Sequence, residues 1–144
     1  MAVFTDFTDN MSIVDFTDGN VKTARNVLDF SLISGASAAD TIHILSVGSG
    51  IWVQNIFARV ITSNTGSLQG LEIGDSTTGS GFVNSMTLGA TTTWIGAYDS
   101  LITYSKGNFY PDGGTIVGSI GTAAESVDTA KVEVVAILFK MPGD

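Results

Sequence analysis

Apolar residues in this chain return at every second position over short stretches, and nowhere does an i, i+3, i+4, i+7 apolar stripe persist over three helical turns. That period belongs to strands. In Val27–Ser34 (VLDFSLIS), Leu28, Phe30 and Leu32 share a side opposite Asp29 and Ser31. In TIHILSV, Ile42 and Ile44 face one way and His43 the other, and Leu71 and Ile73 flank Glu72 in LEIGD. Gly50–Thr62 (GIWVQNIFARVIT) is a longer strand whose parity slips at Gln54-Asn55, where a bulge or bend is expected. Trp52 inside it reads as core. Shorter strands are expected at Thr92–Ala97, Leu101–Ser105, Gly107–Tyr110 and Thr115–Ser119.

The closing strand, Ala130–Met141 (AKVEVVAILFKM), is the most informative. Val132, Val134, Ala136 and Leu138 form one face. The other begins with Lys131 and Glu133 and then turns apolar at Val135, Ile137 and Phe139. A strand apolar on both sides over half its length is covered on both sides. Either it lies central in a two-layer sandwich with a loop packed over it, or a neighbouring subunit covers it. The 17 glycines and only 2 prolines fall between these runs as turn punctuation. Long Ser/Thr/Gly loops are expected over 33–40, 62–67 and 75–85, and a short helical turn over 122–128. The expected fold is all-β: an antiparallel β-sandwich, a jelly roll of about eight strands. A chain of 144 residues suits one domain. The division expected is an extended N-terminal arm over 1–20 and a single sandwich domain over 21–144.

Composition narrows the function. Charged residues are 14%, against about 25% in ordinary soluble domains, and mean hydropathy is +0.33. Hydroxyls and small residues stand where Lys and Glu usually keep a surface wet. Such a surface is expected to be partly covered by copies of itself or by a larger partner. The net charge of −8 disfavours phosphate backbones, so nucleic acid is not an expected partner. The longest clean apolar run, Val134–Phe139, is far short of the ~20 residues of a spanning helix, so no membrane is expected either. No secretory signal is expected at the N-terminus. With no cysteine, disulfides, thiolate metal sites and cysteine nucleophiles are excluded, which fits assembly in a reducing cytoplasm.

No catalytic signature is present. His43 is the one histidine and stands mid-strand, without a Gly-x-Ser-x-Gly elbow anywhere in the chain. Asp29, Glu72, Asp75, Asp99 and Asp112 stand at strand ends or beside glycine, where acids terminate structure by Asx turns. Gly48-Ser49-Gly50 lacks the lysine of a phosphate loop. Asp15–Asn20 and Asp75–Thr78 place oxygens near turns but do not follow the alternating calcium-loop series. No catalytic residue, metal or cofactor is expected. Exposed aromatics leave one other binding chemistry open, a saccharide platform at Trp94 and Tyr98.

Taken in order, ADTIHILSVGSGIWVQNIFARVITS, LEIGDSTTGSGFVNS, KGNFYPDGGTIVGSI and AKVEVVAILF resemble a group of small virion structural proteins of tailed bacteriophages. The resemblance spans roughly residues 26–140. It implies a non-enzymatic capsid decoration (cement) protein on the head exterior, commonly a homotrimer, bound to the lattice of major capsid protein and assembled in the host cytoplasm. The alternative it leaves is a receptor- or glycan-binding head-fibre or tail module.

Upstream of the first confident strand, the triplet Phe-Thr-Asp occurs three times, at Phe4–Asp6, Phe7–Asp9 and Phe16–Asp18. Ordering such a segment costs about 1–2 kcal/mol per residue, which it cannot recover alone. Laid on a neighbour, Phe4, Phe7 and Phe16 would each contribute about 1.5–3 kcal/mol by burial. These three are the expected subunit or lattice contacts. The competing expectation is an edge strand folded back on its own sandwich.

Overall fold

The computed structural model describes residues 3–4, 21–32, 40–65, 70–92, 94–96, 102–120 and 127–141. Among these the strands are β1 (Val3–Phe4), β2 (Val21–Asp29), β3 (Thr41–Val47), β4 (Ile51–Thr62), β5 (Gly70–Gly74), β6 (Val83–Thr87), β7 (Ile95–Gly96), β8 (Asn108–Tyr110), β9 (Gly114–Ile120) and β10 (Lys131–Lys140). They form two sheets, a first in the order β1-β3-β9-β5-β6 and a second in the order β2-β10-β4-β7, with β8 also on β4. Every pairing is antiparallel except that of β1 with β3.

Strands β7 and β8 pair with different stretches of the same edge of β4, Phe57-Ala58 and Ile51–Val53. Taken as one interrupted edge, and with β1 set aside, they leave eight positions. The chain crosses from sheet to sheet between β2 and β5, and β2 ends beside the last strand, β10. That winding is a jelly roll. The fold is the expected β-sandwich.

The core lies between the sheets. Leu28, Ile44, Val53, Ile56, Leu71, Ile73, Ile116, Val134 and Leu138, from both sheets, are all buried there. Asn26 ties the layers as well, its side-chain amide donating to the Ile44 carbonyl at 3.1 Å. Strand β10 is central, with β2 on one side and β4 on the other. The slip expected near Gln54-Asn55 is there: the partners of β10 jump from Asn55 to Val53 between Ile137 and Leu138.

Some expectations needed correcting. Strand β2 starts at Val21, well before Val27, and stops at Asp29, where Phe30–Leu32 turn as a 3-10 segment. The Asp29 carboxylate accepts from the Ser31 backbone N–H at 3.1 Å and hydroxyl at 2.5 Å, an Asx turn that competes with the ladder. Leu32 is consequently 72% exposed instead of sharing the face of Leu28 and Phe30. No strand occurs over the described residues of Leu101–Ser105: Ile102 to Lys106 turn, with Ser105 and Gly107 amides closing onto Ile102 and Tyr104 carbonyls. Strand β7 is only two residues long. Strand β6 lies partly inside the expected loop, because Ser85 at φ 63° bulges it and breaks the alternation. Trp52 is not core. It faces outward, stacked on Phe109 at 6.4 Å between ring centroids. The helical turn expected over 122–128 lies mostly outside the described residues.

At the N-terminus, Val3 and Phe4 pair by backbone with Thr41 and Ile42 at the β3 edge of the first sheet. Residues 5–20 lie outside the described residues.

Candidate interaction face

The two sheets present opposite chemistries to the outside. Alternation turns Thr41, His43, Glu72, Thr115, Val117 and Ser119 outward on the first sheet, a polar surface with one apolar member. On the second sheet the same parity turns out Trp52, Phe57, Val135, Ile137 and Phe139, all half-buried by one another. The large apolar side chains exposed among the described residues are Val21, Leu32, Ile61 and Trp94. Val21 and Ile61 lie on the second sheet's strands, Leu32 just beyond β2 and Trp94 just before β7. Cross-strand register sets Val135 beside Phe57 and Phe139 beside Trp52 on this outer side.

Charge follows the same division. Alternation turns Arg25, Arg59 and Lys131 outward on the second sheet against Asp29 and Glu133, a surplus of one positive charge in a chain of net charge −8, while Lys22 and Lys140 share the parity of Leu28 and Leu138 at the strand ends. At the centre, register places Glu133 between Val27 and Arg59, with Arg25 one row along. The Glu133 carboxylate accepts from Nε of Arg25 and, at 2.7 Å, from Nε of Arg59. Burial pushes the Glu133 pKa up, but the two guanidiniums outweigh it and hold the carboxyl below its ordinary value. Each arginine keeps further N–H donors, on side chains 61% and 42% exposed.

The Arg59 guanidinium lies over the Trp94 ring, 4.7 Å from its centroid. Beside this stack, Phe57, Trp94 and Val135 line a shallow, almost wholly apolar depression of about 310 Å³. Trp94, singled out as a sugar contact, thus has one ring face occupied by Arg59, and it opens onto a depression poor in hydrogen-bonding groups. Its expected companion Tyr98 lies outside the described residues, as do Phe7, Phe16 and Asp99. Phe4 is described as a strand residue through its backbone alone. The face itself was legible only in part. The apolar outer half of β10 announced it, whereas Trp52 and Phe57 were hidden by the bulge that shifts their parity.

Of the acids considered as catalysts, Asp75 and Asp29 have structural roles. Asp75 is 7% exposed, and its Oδ1 accepts from the Thr77 and Thr78 backbone amides at 2.9 and 2.8 Å. Tyr104 donates to the same oxygen at 3.2 Å, and Tyr110 to Oδ2 at 2.7 Å. Burial raises this carboxyl's pKa, the four donors lower it by more, and the net shift is downward. Burial first, and then the Asp75 charge, push Tyr110 far above its ordinary value, so it stays a neutral donor. A Cβ on Gly74 would lie 1.9 Å from the Thr78 carbonyl oxygen, so the turn that presents those amides requires glycine there. This is the physical content of the Ile-Gly-Asp-Ser strand end. Asp29 holds Ser31 and approaches Lys131 at 3.6 Å. No group of three or more His, Cys, Asp or Glu able to hold a metal occurs among the described residues.

No protein-family model and no curated protein matches the chain. Solved structures share its fold, among them two phage chains. A chain of the capsid of Ralstonia phage GP4 superposes with a TM-score of 0.70 at 13% identity, over 99% of this chain and 100% of that one. A chain of the cyanophage Pam1 capsid asymmetric unit does so with a TM-score of 0.63 at 16% identity, over 90% and 91%. At such identities the likeness is one of fold.

Proposed function

We propose that this chain is a non-enzymatic decoration (cement) protein of a tailed-phage head, binding the assembled capsid lattice from outside and stabilising it. The observation that carries the reading is the two-sided sandwich: one sheet surfaced with hydroxyls for water, the other with aromatic and aliphatic side chains for protein. The fold likeness supports it, because the Ralstonia phage chain is matched from end to end and so has about this chain's length. In this reading residues 1–20 are an arm, with Phe4, Phe7 and Phe16 as contacts, and residues 21–144 are the domain that sits on the shell as a homotrimer.

The mechanism is mass action. A protein that binds the assembled lattice and not free subunits stabilises the lattice by RT ln(1 + [L]/Kd), about 2.7 kcal/mol per site at a hundredfold excess over Kd. Three footprints on one trimer add avidity without new contacts. The test is co-sedimentation of the purified protein with intact phage heads and, in parallel, with dissociated capsid subunits. Binding to heads alone supports the reading; binding to neither ends it.

A further inference from the structure

We propose that the depression lined by Phe57, Trp94 and Val135 receives a Phe-Thr-Asp triplet from the N-terminal segment of a neighbouring copy. The aromatic ring fills the depression and the carboxylate pairs with Arg59 or Arg25. This deepens the decoration reading and rests on it for the oligomer, but its chemistry stands on the face itself.

Three observations converge. The depression is apolar and about 310 Å³, a size that admits one aromatic ring. Its rim carries two guanidiniums, Arg59 over Trp94 and Arg25 across β10, each with spare donors beyond the bond to Glu133. The ligand such a site asks for is an aromatic side chain followed closely by an acid on the same side. In an extended chain, a residue and the second after it point the same way, about 6.5–7 Å apart. Phe-x-Asp meets that demand, and residues 1–20 offer it three times, with four acids and no basic residue. The acidic segment and the sheet with surplus positive charge are complementary parts of one sequence.

The decoration reading, in which copies of the chain meet on the shell, assigns the triplet to a neighbour. A chain's own segment is fixed at both ends on the β2–β3 side of the sandwich, by Phe4 paired to β3 and by Val21 opening β2. Those two strands lie together, as the bond from Asn26 to Ile44 shows. The depression lies on the outer face of the second sheet, over β10 and β4, with Trp94 beside β7. A second copy whose β2–β3 side approaches the β7 side of the first brings its triplets within reach. The contact joins two different surfaces, so a closed oligomer satisfies every triplet and every depression at once.

The test is the mass of the full-length protein in solution by light scattering, with shell co-sedimentation run on the same samples. The parent is expected to be a closed oligomer. Trp94→Ala, which removes a depression wall, and the triple change Phe4→Ala, Phe7→Ala, Phe16→Ala should each weaken self-association roughly tenfold or more. Mixing these two variants should restore pairs but not larger rings, because one supplies intact triplets and the other an intact depression. Should Trp94→Ala fail to fold, Arg25→Glu, on an exposed side chain, carries the same expectation. A monomeric parent, variants that associate like the parent, or a mixture that stays monomeric overturns the proposal. A monomeric parent that still co-sediments with heads would overturn it while leaving the decoration role standing. A ring-forming parent that ignores heads would do the reverse.

Discussion

At the residue scale the molecule is held by a few polar side chains whose donors and acceptors are fully engaged. Asp75 is the clearest, a buried carboxylate with four donors that joins the β5 turn to the Tyr104 and Tyr110 segments. Asp75→Asn removes one acceptor oxygen and leaves a tyrosine or an amide unpaired. A loss of about 1–3 kcal/mol is expected in urea unfolding. The pH dependence has a definite sign. Asp75 and Glu133 titrate below their ordinary values in the folded chain. Their stabilisation is therefore complete above the unfolded carboxylate range near pH 4, and is lost as pH falls through the folded values. Thermal melts from pH 7 to pH 3 should show stability falling at the acid end, with a shallower fall in Asp75→Asn. Gly107 makes a second test: at φ +88°, a Cβ would meet Trp52 Nε1 at 2.5 Å and the Val53 carbonyl oxygen at 2.6 Å. Gly107→Ala should destabilise by more than the roughly 1 kcal/mol of a left-handed alanine alone, since β8 must also shift away from β4.

At the element scale β10 makes the argument in a single strand. Its inner face, ending at Leu138, belongs to the core, and its outer face, centred on Val135, is apolar and half-buried. Leu138→Ala should cost about 2–5 kcal/mol of folding stability and leave binding specificity alone. Val135→Ala, at the depression, should change the melting temperature little and weaken association. Chemical denaturation and light scattering on the same two variants separate the effects. The central position of β10 was one of the two readings that two-sided apolarity admits, and its pairing with β2 and β4 selects it. The turn at Asp75 and the bulge at Gln54 were legible too, from residue types that break ladders. Strand β6 was not, because a left-handed Ser85 destroys the alternation that would have revealed it. Nor was the outward stack of Trp52 on Phe109: an aromatic in an apolar run has the same pattern whether it faces a core or a partner. The Glu133 cluster escaped as well, since it depends on three strands coming into register from positions 25, 59 and 133.

At the scale of the whole molecule, the low charge has a place to go. Hydroxyls and small polar groups wet the first sheet, while the second gathers most of the exposed aromatic surface and five of the six basic residues. A sandwich with such unequal sides is suited to lie flat between protein and solvent, and its stability and its partner contacts are separable because they use opposite faces of the same strands. High salt should loosen the assembly without unfolding the protein, because the guanidinium contacts at the rim are exposed and screened over about 10 Å at 0.1 M salt. The most direct measurement is an electron-microscopy map of phage heads carrying this protein, at a resolution that distinguishes the two sheets. The account predicts copies on the outer surface with the β2-β10-β4 sheet buried against protein and the β3-β9-β5 sheet toward solvent. Copies seated through the hydroxyl-rich sheet, with Trp94 and Phe57 facing water, would contradict it.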